Sequence, residues 1–527
     1  MTSPAVDDPD RTLVEGQSSG AGAHSGAALH RARAEVAHAS DRLEEPVVLR
    51  SEPRGDGRIR TGRLAGLTLG AAIWVLSWPI MAQSFLDALL GTVDTAIAAR
   101  LGVEETDAVG LSTYIMWLTG VITMSVAIGA TALISRAVGG GHRGRANDVL
   151  GQSMTLAGII GVLAGIVMAL AAPFIGRPVG LDPVASRLMA YYLWPIAASM
   201  PAMVVTNVGV ACLRGAGESR SPLWIMLVEN IINLPLNIIL SGVALHFTVL
   251  GSEVNWSGVP GLSMGIAGIG LATCVARCVG AVIVLWLLAR GDKVMRLHWH
   301  RMRPRWSSMK RLVNVGLPNL WESLGMWSGN FIIILVIGQV LAAAAGTPGL
   351  IGAHQITIRL ESFSFLPGFA MGTAAATLMG QYMGAGNPRM AARAALVCAG
   401  VAAIVMSIFS YFFIVHPEAM VSIMSDQPMH QELVPDLLRL AGYIQIPFAV
   451  LLVFRGGLRG AGDTRMAMIL TSVGIFGLRV PGCVIVALLW PERGLYALWL
   501  VMVVELTIRG IMFSVRFFHG GWMRVQV

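Results

Sequence analysis

The sequence predicts an all-α membrane protein: twelve transmembrane helices in two six-helix lobes related by a pseudo-twofold axis along the membrane normal. Three observations predict it. Of 527 residues, 55% are hydrophobic and only 13% charged, with a mean hydropathy of +0.67, whereas a soluble globular chain carries about 25% charged residues. Apolar segments long enough to cross a bilayer recur from about residue 65 onward. Finally, Arg214-Gly-Ala-Gly-Glu-Ser-Arg220 returns as Arg459-Gly-Ala-Gly-Asp-Thr-Arg465, and Gly139-Gly-Gly141 returns as Gly384-Ala-Gly386, both displaced by 245 positions. Two glycine motifs at one offset indicate a duplicated chain. Six spans per half is an even number, so both halves enter the membrane with the same orientation. The axis then lies along the normal, with a cavity between the lobes.

In chain order, residues 1–62 are rich in Ala, Gly, Ser, Asp, Glu and Arg. They lack both sustained apolar periodicity and the pattern of a signal peptide, and read as a disordered cytoplasmic extension. The amino-lobe is expected at 63–289, with spans near 65–99, 107–138, 149–175, 186–213, 221–246 and 262–289. A basic connector follows at 290–310, and the carboxy-lobe at 311–527 has spans near 311–343, 351–383, 390–415, 434–458, 466–490 and 494–518. Basic residues set the orientation. Arg143, Arg145, Arg214, Arg220, Arg389, Arg393, Arg459, Arg465 and the connector fall on one side, and Glu104, Glu105, Asp107, Glu253, Glu418, Asp426, Glu432 and Asp436 on the other. A multi-pass protein of the cell membrane with both termini cytoplasmic is expected. Its net charge of +8 then reflects these basic inner loops rather than a nucleic-acid partner.

Cys212, Cys274, Cys278, Cys398 and Cys483 lie in or next to apolar segments and imply neither a disulfide framework nor a metal site. No phosphate loop, H-E-x-x-H or G-x-S-x-G occurs. The chain therefore reads as neither an ATP-driven pump nor an enzyme, it needs no cofactor, and an ion gradient must supply the work. One charge moving through 100 mV gains about 2.3 kcal/mol.

The chemistry is sought in acids within apolar segments. An ionisable group at the middle of a span costs roughly 2.5–3.5 kcal/mol even on a lenient insertion scale, so by default it marks an ion or substrate pathway. The first span holds Asp87 and Asp94, seven residues apart on one helix face. The fifth carries Glu229, Asn233 and Asn237 at intervals of four, and the sixth carries Thr273. Counting from the outer ends puts Asp94, Asn237 and Thr273 at similar depth in the outer half of one lobe. A carboxylate with amide and hydroxyl oxygens suits a hard monovalent cation, or a proton held on a desolvated carboxyl. Helix cross-linking is the alternative role for the amides and the hydroxyl, and an ion pair with Arg277 is the alternative for Glu229. In the carboxy-lobe, Glu505 and Arg509 read as an i,i+4 pair. Glu361 has Arg359 nearby but on another face, and Glu322 has no local partner, so both are candidates for the substrate pathway.

Certain residues together resemble the multidrug and toxic compound extrusion (MATE) family. They are Pro79 through Val93-Asp94-Thr95 to Arg100-Leu-Gly102, Ala353-His354-Gln355 with Phe365-Leu-Pro-Gly368, Gly380-Gln381-Tyr-Met-Gly-Ala-Gly386, both Arg-Gly-Ala-Gly turns and Arg516-Phe-Phe-His-Gly-Gly-Trp522. The resemblance covers about residues 65–522. It implies export of drugs or other small amphipathic, often cationic, organic compounds in exchange for protons or sodium, by alternating access of the two lobes. It matches Asp94 to the family's first-helix aspartate and Asn233, Asn237 and Thr273 to its amino-lobe polar cluster. Some members carry aspartate where this chain has Asn237, and several carry glutamine where it has Asp87, which makes Asp87 a candidate second titrating group. Glu322 lies about one turn from the carboxy-lobe acids of other branches, and this points to the bacterial DNA-damage-inducible (DinF-like) branch. A monomer in contact with membrane lipids is expected. The competing readings are a flippase for lipid-linked intermediates and a membrane-embedded enzyme using Asp94 with His246 or His354.

Overall fold

The structure, a computed structural model, describes residue 59 and residues 62–176, 182–243, 245–249, 252–256, 263–291, 294–341, 349–491 and 494–525. The extension expected at 1–62 lies outside these residues, apart from Ile59 and Gly62. The amino-lobe helices are α1 (Leu69–Leu101), α2 (Val103–Gly139), α3 (Arg143–Ile175), α4 (Pro183–Gly215), α5 (Arg220–Ser241) and α6 (Ile266–Arg290). The carboxy-lobe helices are α7 (Trp306–Leu341), α8 (Leu350–Gly384), α9 (Pro388–Val415), α10 (Pro428–Tyr443 continued by Gln445–Gly460), α11 (Thr464–Leu489) and α12 (Gly494–His519). Among the described residues, eleven helices are long and apolar enough to span a membrane, and the bent pair in α10, taken as one span, makes twelve. Their outward faces are apolar, as with Leu163, Val167, Leu170 and Phe174 along α3. Such a belt suits a lipid solvent.

Four features depart from twelve plain helices. A two-stranded antiparallel hairpin, Leu245–Val249 with Ser252–Trp256, follows α5. A short helix, Pro417–Met424, precedes α10. The expected continuous span at 434–458 instead breaks at Ile444, where its halves meet at 57°. Val336–Leu341 in α7 and Val473–Arg479 in α11 are π-helical.

The duplication is visible atom by atom. Gly141 and Gly386 have φ of 75° and 76°, and Gly217 and Gly462 have φ of 89° and 87°. Each pair closes a helix with a left-handed turn that glycine adopts without strain. The same turns return equivalent hydrogen bonds: His142 N–H to Ala137 O and Asn387 N–H to Tyr382 O, both 2.8 Å. Within each lobe the glycine ending one helix lets it seat against another. A Cβ on Gly215 would lie 3.1 Å from Thr131 O, and one on Gly460 would lie 2.1 Å from Ala376 O.

The lobes are interleaved where the glycine turns lie. Leu64, Ala72, Ile73 and Leu76, at the start of the amino-lobe, belong to the same apolar core as Met371, Leu378 and Met379 of α8. Met309 and Leu312, at the start of α7, belong to the core of α2, α3 and α4. The same end is closed between lobes. A Cβ on Gly139 would come 1.9 Å from Gln381 O, and one on Gly384 would come 2.1 Å from Arg136 O. These two contacts are related by the 245-residue offset. Gln381 Nε2 donates to Gly215 O at 3.0 Å and Thr377 Oγ1 to Arg214 O at 3.2 Å. Arg136 donates to Ala461 O and, at 3.0 Å, to Val525 O beyond α12.

Candidate functional site

Near the opposite end of α1, three amino-lobe helices converge on Asp94. Asn233 and Asn237 are one turn apart on α5 and face it with Thr273 of α6. Asn237 Nδ2 donates to Asp94 Oδ1 at 2.7 Å and to Asn233 Oδ1 at 2.9 Å. Asn233 Nδ2 donates to Thr273 Oγ1 at 3.1 Å, and Thr273 Oγ1 donates to Asp94 Oδ2 at 3.4 Å. The bonds form a closed ring, and all four side chains are buried, Asn237 completely. Among the described residues no basic side chain forms an ion pair with Asp94; neutral amide and hydroxyl groups alone hold it. Asn237 Oδ1 is buried with no hydrogen-bond partner.

The ring gathers three kinds of oxygen from four side chains: the carboxylate, two amide carbonyls and a hydroxyl. This set suits a small hard cation, and it equally suits a carboxyl that alternates between neutral and charged forms. In the neutral form its own O–H becomes a donor, and Asn237 Oδ1 is an acceptor in need of one. Tyr192 of α4 is buried within the field of Asp94, and spacing alone gave no sign of it.

The other candidate residues lie elsewhere. Asp87 is exposed rather than packed, and Arg214 and Arg277 are the cations whose charges reach it. Arg214 itself donates to Gln83 of α1. The Glu229 side chain rests against Gly280, where a Cβ would stand 1.6 Å from its Oε1. That oxygen makes no hydrogen bond, nor does Arg277 Nε, and the ion pair weighed as the alternative role of Glu229 is not among the close pairs of the described residues, although the charge of Arg277 reaches it.

The expectation that Glu322 lacks a partner is corrected. Its carboxylate lies 2.9 Å from Arg455 Nε and 2.7 Å from Arg459 Nη2 of α10, and Thr471 of α11 donates to it at 2.7 Å. Glu322 is therefore the centre of a buried network tying α7 to α10 and α11. Arg455 and Arg459 are spaced i,i+4, the one sequence signal that both face one acid. Glu505 and Arg509 pair at 2.9 Å, and Arg479 joins them at 2.6 Å. Glu361 is buried, and its Oε1 has no partner.

The MatE family pattern matches residues 79–239 and 318–485, together more than half of the chain. The chain is 28% identical over 455 residues to the probable multidrug resistance protein NorM of Thermotoga maritima, covering 86% of this chain and 93% of that protein. It is 24% identical over 461 residues to the multidrug resistance protein MdtK of Yersinia pseudotuberculosis, covering 86% and 96%. A solved outward-facing MATE transporter of the MOP superfamily superposes with a TM-score of 0.77 at 21% identity, over 88% of this chain and 98% of that one. A MOP superfamily transporter from Pyrococcus furiosus, described as having a binding pocket of reversed polarity, gives 0.76 at 20% identity over 92% and 100%. At such identity these structures speak to the fold. With its two matched halves and twelve spans, the chain belongs to the MatE family of membrane transporters.

Proposed function

We propose that the chain is a secondary antiporter that exports small amphipathic organic compounds, often cationic, in exchange for protons by alternating access. The observation that carries this reading is the Asp94 ring: a buried carboxylate bonded to neutral donors, with no ion-pair partner among the described residues and Arg277 reaching it only through its charge. Unscreened charge in a dry lobe is costly. Loading a proton removes that cost and changes the bonding of the ring, the new O–H being offered to the free Asn237 Oδ1, whereas unloading restores the ring as it stands. Both termini are cytoplasmic in this reading, so the closed seam at the glycine turns is the cytoplasmic gate. The relatives' names, both multidrug resistance proteins, support the substrate class. The free acceptor on Asn237 supports sodium as the alternative coupling ion. Asp87 is assigned to the same proton route. Glu229 and Glu361, each with an unpartnered buried oxygen, are assigned to the substrate pathway, and Glu322 to holding the carboxy-lobe together. The protein acts as a monomer in this reading.

The test is efflux from proteoliposomes driven by a pH gradient or by a sodium gradient. Asp94→Asn preserves hydrogen bonding but not titration, and it is expected to abolish gradient-driven efflux while still binding substrate. Wild-type-like efflux by this variant would exclude Asp94 from coupling. Collapse of the sodium gradient alone would assign sodium as the ion.

A further inference from the structure

At the end of the amino-lobe that carries the glycine turns, two adjoining clefts share Arg63 and Glu218. One, about 270 Å³, is bounded by the end of α4, the end of α6 and the connector; Leu213, Leu287, Leu288, Val294 and Met295 form its apolar wall, with Arg290 at its edge. The other, about 260 Å³, is bounded by the turn before α1 and the start of α5, with Arg220 at its edge. Pockets for drug-sized ligands begin near 300 Å³, so each cleft is the size of a headgroup. The lining acid is already engaged: Glu218 Oε1 accepts from the N–H groups of Arg220 and Ser221 at 3.0 and 2.9 Å, and its other oxygen pairs with Arg63. Arg220 and Arg290 are exposed and have no acidic partner among the described residues. The Arg290 guanidinium lies over the Trp286 ring, 5.3 Å from its centroid. Trp286 and Trp224 lie one turn into the membrane from these arginines and are 56% and 65% exposed, the placement of aromatic anchors at a membrane interface.

We propose that this double cleft binds an anionic phospholipid, its headgroup across the two clefts whose edges carry Arg220 and Arg290 and its acyl chains along the outer face of α5 and α6. A free anion would be served by the arginines alone. The apolar wall and the flanking tryptophans select a lipid. The inference is independent of the transport reading. Because Arg63, Leu64 and the Gly217 turn join the clefts to the seam between the lobes, an occupied site steadies the closed end.

The test is native mass spectrometry of the full chain in detergent, titrated with dioleoylphosphatidylglycerol. One lipid is expected to bind preferentially over phosphatidylcholine. Arg220→Gln and Arg290→Gln are each expected to weaken it about fivefold, from roughly 1 kcal/mol per basic residue at a lipid surface. Arg303→Gln and Arg389→Gln, exposed on the same side, are expected to change nothing. Unaltered binding in the double variant overturns the site. Equal weakening by the control pair would reduce it to general surface charge, and displacement by millimolar inorganic phosphate would reduce it to an anion site; either overturns the proposal.

Discussion

Asp94 and Glu322 are both buried acids in apolar helices, and their partners give them opposite characters. Asp94 has amides and a hydroxyl, groups that accommodate either charge state. Glu322 is paired with two guanidinium groups, whose positive charges its carboxylate balances. Removing one member of a buried ion network leaves uncompensated charge at a cost of about 3–5 kcal/mol. Glu322→Gln is therefore expected to lower the thermal midpoint in scanning fluorimetry far more than Asp94→Asn, which loses no ion pair. A comparable loss for the two variants would contradict this division. Asp94 was legible in the sequence because a lone acid in an apolar run stands out. The partners of Glu322 were not, since Arg455 and Arg459 lie in another span and only folding brings them to it. For Glu229 the sequence left a pathway role and a pair with Arg277 of the next span both open, and the carboxylate rests on Gly280, a contact that only folding brings about.

At the scale of the helix, periodicity and length sufficed to find all twelve spans and their order, because the hydrophobic requirement of a bilayer overrides local preference. They did not reveal the break at Ile444, since hydropathy is blind to backbone direction. A broken helix in lipid must satisfy the carbonyls it frees. Gln445 Nε2 donates to Ala441 O at 2.8 Å, and Ser410 Oγ donates to Gly442 O at 2.7 Å. Ser364 holds Gln445 from α8. Gln445→Leu removes one of these donors without adding a clash of charge, and should cost about 1–2 kcal/mol, read as a lower midpoint of unfolding. Ser364→Ala is expected to cost less, because it leaves the bond to Ala441 in place. Reversal of that order would show that the bend rests on other contacts.

For the whole molecule, the 245-residue offset read from two glycine motifs also relates the contacts that close the seam. Gly139 and Gly384 each lie so near a carbonyl of the opposite lobe that a methyl group cannot enter. Gly139→Ala or Gly384→Ala should therefore hold that end apart, lengthening the distance between spin labels at positions 144 and 389. An unchanged distance distribution would show that the backbone yields instead. The sequence showed that the chain is duplicated but not that its halves interleave. Nothing in composition says that Leu64 and Ile73 belong with Met371 and Leu378, or that Met309 and Leu312 belong with α2 and α3.

Past α12 the chain turns back through Trp522, fully buried, to offer the Val525 carbonyl to Arg136 of the other half. The stretch ending at Val525 is thus fastened across the seam between the halves, which on the alternating-access proposal would have to part when this side admits cargo. An affinity handle or reporter placed close behind Val525 would tug on that fastening, so the conformations it reported would be partly of its own making.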